Sequence, residues 1–244
     1  MFQSHAPPTT DPPTRTALPR LAKGQLHEVH AAADGWASAL AFALATIEAD
    51  PARPIMLLRV RKAKARTMRM EPCGEGWASL GLDPARLVIV DAPSDAALLR
   101  AGLDTARCPG PGAVVLEAWG PLREYDLVAS RRLILAAEGS RLPIVVLRGD
   151  AEPRASAAHT RWAVSNAPST PLAMRAPGPP ALLVELQRRR GGPGGLTWRL
   201  EWNEEHGGFR EEPIIRTEPP ADAGTAAPLS GAVVSLAAVR TRAA

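Results

Sequence analysis

Three scarcities set the first limits on this 244-residue chain. No apolar run approaches the roughly 20 residues that a membrane-spanning helix needs, so no membrane role is expected. Cysteine occurs only as Cys73 and Cys108, with neither metal-type spacing nor a pairing pattern, which fits a reducing cytoplasm. Lysine occurs only as Lys23, Lys62 and Lys64, so the net charge of +4 is carried overwhelmingly by arginine. That mild positive balance permits weak DNA contact without demanding it.

Proline (25) and glycine (20) are abundant, mostly at the two ends and in a few loops. Positions 1–17 read as a Pro-rich disordered leader without an apolar signal core. Positions 18–203 are expected to form one α/β domain, and 204–244 a largely disordered tail rich in Glu, Pro and Ala. The tail ends in Ala232-Val-Val-Ser-Leu-Ala-Ala-Val239. There Val233, Val234, Leu236 and Val239 could form a peptide-like docking element or stay unbound.

Between Leu21 and Asn203, apolar runs alternate with helical patterns. Strands are expected at Leu26–His30, Ile55–Val60, Leu87–Val90, Ala113–Leu116 and Leu142–Leu147. Helices are expected from Trp36 to near Asp50, over Asp95–Thr105 with Ser94 as N-cap, and over Asp126–Glu138 ending at Gly139. After Arg148 the pattern changes to strands at Trp162–Ser165, Leu182–Gln187 and Thr197–Trp202. The last two flank Gly191-Gly-Pro-Gly-Gly195 as a hairpin. The expected fold is a mostly parallel sheet flanked by helices, with antiparallel strands at one edge.

The strand at Leu26, a small-residue turn and an Ala-rich helix have the layout of a phosphate-binding loop. Such a loop needs a lysine after its second glycine and then a Ser/Thr to hold magnesium. Here Gly35 is followed by Trp36 and Ala37, and Ser38 comes one place late. Trp36 either fills the space a phosphate would occupy or is exposed as a partner anchor. Glu117, closing Val114-Val-Leu-Glu117, stands where a magnesium-side carboxylate would. The site is therefore read as a degenerate nucleotide site made of Gly35, Trp36, Ala37 and Glu117, with no catalytic residue. ATP and other cofactors are not expected.

No metal site is expected either. His27 and His30, at i and i+3 on a strand, point to opposite faces of the sheet. The densest basic run, Arg59, Arg61, Lys62, Lys64, Arg66 and Arg69, is a candidate contact for nucleic acid or an acidic partner, or a solvated loop. Arg188-Arg-Arg190 is a second basic cluster at the hairpin tip. Trp198 and Trp202 share one face of that hairpin and read as core.

In order, these pieces resemble the core of RecA-type recombinases. The matching residues are Gly24-Gln-Leu-His-Glu-Val29, Leu80-Gly-Leu-Asp83, Val114-Val-Leu-Glu117 and the Leu182–Trp202 hairpin. More closely, the chain resembles the ImuA family, RecA-like accessory proteins of damage-inducible mutagenesis in bacteria. Leu80-Gly-Leu-Asp-Pro-Ala-Arg-Leu87, Ala129-Ser-Arg-Arg-Leu133, Leu142-Pro-Ile-Val-Val-Leu-Arg148, Ala155–Val164 and Trp198-Arg-Leu-Glu-Trp202 carry that likeness, which runs from about Leu18 to Trp202.

The resemblance implies a RecA-like core and a non-catalytic adaptor role in error-prone translesion synthesis, part of the SOS response. The implied partners are an ImuB-like Y-family polymerase homologue, an error-prone polymerase III α-type subunit and RecA itself. The implied location is the bacterial cytoplasm, at the nucleoid when active. RecA carries a catalytic glutamate just after the strand matching Ile55–Val60, where this chain has Arg59, Val60 and Arg61, and both RecA DNA loops look shortened here. A divergent ATPase using Glu117, or a DNA-binding module using Arg59–Arg69, are the alternatives.

Overall fold

The computed structural model describes residues 18–32, 34–60 and 71–213. The leader at 1–17, Arg61, Lys62, Lys64, Arg66, Arg69, and the tail residues Val233, Val234, Leu236 and Val239 lie outside them.

The short buried runs become strands β1 (Leu26–Ala31), β2 (Ile55–Val60), β3 (Leu87–Ala92), β4 (Ala113–Trp119) and β5 (Ile144–Gly149). The alternating segments become β6 (Thr160–Ala167), β7 (Ala181–Arg189), β8 (Leu196–Asn203) and β9 (Gly208–Glu212). They form one nine-stranded sheet in the order β3-β2-β4-β5-β1-β6-β7-β8-β9. Neighbours from β3 to β6 pair in parallel, and β7, β8 and β9 add antiparallel to the β6 edge. The expected fold class, a mostly parallel sheet with an antiparallel C-terminal edge, is the one observed.

Strand alternation divides the core into two layers. On one face Val29, Leu57, Val115, Val145 and Leu147 pack beneath α1 (Trp36–Thr46), and Phe42 leads into a tilted aromatic series with Trp162 and Trp198. On the other face Leu26, Leu58, Leu116, Ile144 and Val146 pack against α3 (Asp95–Arg107) and α4 (Leu127–Ser140). Gly102 of α3 permits that approach, since a Cβ there would lie 2.4 Å from Leu116 Cδ2. Trp198 and Trp202 are both buried, as expected of core residues.

Four details depart from the sequence reading. The domain was expected to end at Asn203, yet β9 pairs with β8 as far as Glu212, and Phe209 meets Trp202 edge-on at 5.2 Å between ring centroids. A short helix, α2 (Gly74–Ser79), has no counterpart in that reading; Cys73 Sγ caps it by accepting from Gly76 N, and Trp77 anchors it. The fourth helix does not stop at Gly139 but runs to Ser140, and Arg141 takes the left-handed turn at φ 56°, ψ 26°. Finally, Arg188 is not a free hairpin-tip cation, because its guanidinium donates to the carbonyls of Ser156 and Ala158.

Candidate functional site

The start of α1 and the carboxyl half of β4 hold the residues singled out as a degenerate nucleotide site. A loop of the Gly-x4-Gly-Lys form places six residues from its first to its second glycine. Here β1 ends at Ala31 and α1 begins at Trp36, so only positions 32–35 join them. The turn is tight: Gly35 N donates to Ala32 O, and a Cβ on Gly35 would stand 3.0 Å from Ala31 Cβ.

Trp36 opens α1 half-buried, and its indole N–H donates to Glu117 Oε1 at 2.8 Å. Trp36 is neither fully exposed nor fully enclosed. Trp119, two residues beyond Glu117 on the same strand face, donates its indole N–H to the same oxygen, also at 2.8 Å. The Trp119 ring lies on bare backbone of β5, where a Cβ at Gly149 would come within 1.9 Å of it. Two indoles and one carboxylate thus bridge the helix start, β4 and β5.

Glu117 does not end its strand, as the sequence reading had it; β4 runs two residues further and the side chain is buried. Burial raises its carboxyl pKa above the ordinary range, and the hydrogen bonds from Trp119 and Trp36 and the nearby charge of Arg59 only partly oppose this. Its Oε2 is buried and lacks a hydrogen-bond partner. A magnesium ligand is an ionised carboxylate open to the hydrated ion. Glu117 here has one oxygen occupied by two donors, and burial disfavours its ionised form.

Arg59 lies beside Glu117 in the β2–β4 register, on the same sheet face. It was expected among solvent-facing cations of a basic run, but it is 8% exposed. Its guanidinium pairs with Glu71 at 2.7 Å and Asp91 at 2.9 Å. A cation committed to two carboxylates is poorly placed to bind phosphate, so Arg59 leaves the set of candidate phosphate contacts. Ala37 lies in the first turn of α1 and carries no polar group.

The opposite sheet face holds a buried polar network absent from the sequence reading. Glu28, in the middle of β1, accepts from Tyr125 Oη at 2.8 Å and from Arg161 Nε at 2.7 Å, and His30 lies 3.7 Å away. Burial pushes the Glu28 carboxyl up, but His30, Ser156 and Arg161 outweigh it and hold the pKa at about 2. Arg161 also donates to Arg154 O and Ser156 Oγ. Arg148 lies over the Tyr125 ring, 5.8 Å from its centroid. Burial and the Glu28 charge raise the Tyr125 pKa well above its ordinary value. The available signal was three polar residues, His27, Glu28 and His30, inside a strand that the fold buries.

His27 and His30 do point to opposite faces. His27 is buried between Thr160 Oγ1 and Ala22 O, and burial lowers its pKa to about 4. Among the described residues no group of three or more His, Cys, Asp or Glu side chains could hold a metal ion. Among them, too, no helix is long and apolar enough to cross a membrane.

Strand order and layering define an α/β protein whose first strand–turn–helix unit is closed by side chains. No family model matches the chain. Over 144 residues it is 39% identical to Protein ImuA from two strains of Caulobacter vibrioides. Those matches cover 53% of this chain and 55% of the relative, so the chain spans about half the length of the curated relatives it matches. They support membership of the ImuA family. Among solved structures, the crystal structure of the RadB recombinase aligns with a TM-score of 0.48 at 15% identity, covering 75% of this chain and 89% of that one.

Proposed function

We propose that this chain is a RecA-like accessory protein of error-prone translesion DNA synthesis that works by holding partners rather than by hydrolysing nucleotide. The observation that carries the non-catalytic part is the Trp36–Glu117–Trp119 bridge. A nucleoside triphosphate with magnesium would have to lie between the start of α1 and the end of β4. The bridge joins those two elements directly, through a connection two residues shorter than a phosphate loop. Likeness to Protein ImuA supports the mutagenesis role, with an ImuB-like Y-family polymerase homologue as the direct partner, an error-prone polymerase III α-type subunit reached through it, and RecA as a further partner. The core, which runs on through β9 to Glu212, and the tail beyond it would divide the docking work, in the cytoplasm and at the nucleoid.

Two measurements test this reading. Equilibrium binding of labelled ATP with magnesium should give no saturable signal in the micromolar range; micromolar affinity, or turnover abolished by Glu117→Gln, would establish the ATPase alternative instead. Co-expression with an ImuB-like protein should yield a stable complex. Failure to co-purify would remove the adaptor role.

A further inference from the structure

The end of the sheet opposite the Trp36–Glu117 bridge collects four basic side chains from three separate stretches of chain. Lys23 precedes β1, Arg141 follows α4, Arg189 ends β7 and Arg190 comes directly after it. All four are exposed. Backbone contacts make them neighbours. A Cβ on Gly24 would lie 3.9 Å from Arg141 Cα, His159 N donates to Leu26 O at 2.8 Å, and Arg190 N donates to His159 O at 2.7 Å. The line therefore runs from Arg141 across Lys23-Gly24 and the amino end of β1 to His159 and Arg190. Arg188 braces it from beneath through Ser156 and Ala158. The half-buried His159 between them has its pKa lowered by burial and then by the charge of Arg190, with Glu138 opposing.

Arg141 supplies a second, independent sign. A helix that ends through a left-handed residue ordinarily places glycine there, because an L side chain is strained at positive φ. This helix places an arginine at φ 56°, with its side chain exposed. A residue kept in a strained conformation that glycine would relieve points to a use for its side chain.

We propose that this amino-end face, Lys23, Arg141, Arg189 and Arg190, binds the phosphodiester backbone of duplex DNA without reading its sequence. Base stacking is not on offer, since among the described residues every Trp, Tyr and Phe is buried or half-buried. What remains is charge on phosphate, which positions a protein on a duplex without specifying bases. The site shares no residue with the Arg59–Arg69 run and stands whether or not the adaptor reading holds.

The test is fluorescence anisotropy of the full chain with a short labelled duplex of mixed sequence and with a single strand of equal length, across a salt series. Four phosphate contacts give a log–log salt slope of about −3.6, so affinity should fall on the order of a hundred-fold between about 50 and 200 mM salt. Arg141→Gly should raise the Tm yet make the slope shallower by about one. Changing Arg189 and Arg190 together to serine should remove about two more, and those exposed hairpin positions leave the core untouched. Duplexes of different sequence should bind alike. A slope unmoved by these changes, a slope that falls only when Arg61 and Lys64 are replaced, or tighter binding to the single strand would each overturn the proposal.

Discussion

Replacing Glu28 with glutamine keeps the size of the side chain and its acceptor for Tyr125 while removing the charge that Arg161 faces. In the fold this carboxylate is 1% exposed and titrates at about 2, against an ordinary 4.5 that the unfolded chain restores. Between those two values the unfolded state binds a proton that the folded state does not, so stability rises with pH across that window. The contribution is fully present above about pH 4.5 and is lost as the pH falls towards about 2. At about 1.4 kcal/mol for each tenfold change in proton affinity, the gap corresponds to about 3 kcal/mol at neutral pH. Arg161, with a side chain only 14% exposed, is left opposite a neutral amide in the variant, which adds to the loss. Urea unfolding of both proteins from about pH 7 down to about pH 3 should show Glu28→Gln weaker by several kcal/mol at the top of the range. The difference should then shrink by about 1.4 kcal/mol per pH unit below about pH 4.5. A difference that stays constant across the acid limb would show that Glu28 acts by shape or hydrogen bonding alone, and the ion-pair account would be wrong.

Two further substitutions probe the opposite face. Glu117→Gln keeps an oxygen for both indole donors and removes a charge that burial disfavours, so at neutral pH the variant should be at least as stable as the parent. Because the fold raises the Glu117 carboxyl pKa, that advantage shrinks as the pH falls and the carboxyl takes up its proton; a lower Tm at neutral pH would contradict it. Gly149→Ala drives a methyl to within 1.9 Å of the Trp119 ring, so the indole must leave Glu117 or the strand end must shift. The expected cost is about 3 kcal/mol or more, with a changed tryptophan emission spectrum, and an unaltered spectrum at parental stability would show that Trp119 is not seated on Gly149.

The parts of the fold that could be read from sequence are those where local composition and tertiary demand agree. Val114-Val-Leu116 and Val145-Val-Leu147 are too apolar for an edge or a loop, and both lie in the middle of the sheet. Ser94 caps α3 as its chemistry predicts, accepting from Ala97 N. The missed elements depend on something distant. Gly-Phe-Arg-Glu-Glu at 208–212 carries three charges in five residues and becomes a strand because β8 offers an open edge and Phe209 can cover Trp202. Glu28 looks like an interruption in an apolar run until the β1–β6 register sets it directly opposite Arg161, 133 positions further on. The missing lysine is a local signal, whereas the part played by Trp119, which strand periodicity places on the same face as Glu117, depends on the packing of β4 against β5. Trp36 supplies one donor, Trp119 the second, and Gly149 the bare backbone against which Trp119 packs. Loss of a lysine alone would leave a carboxylate facing an empty cleft. Here the start of α1 and the end of β4 meet instead on one oxygen of Glu117, and the backbone of β5 lies against the Trp119 ring.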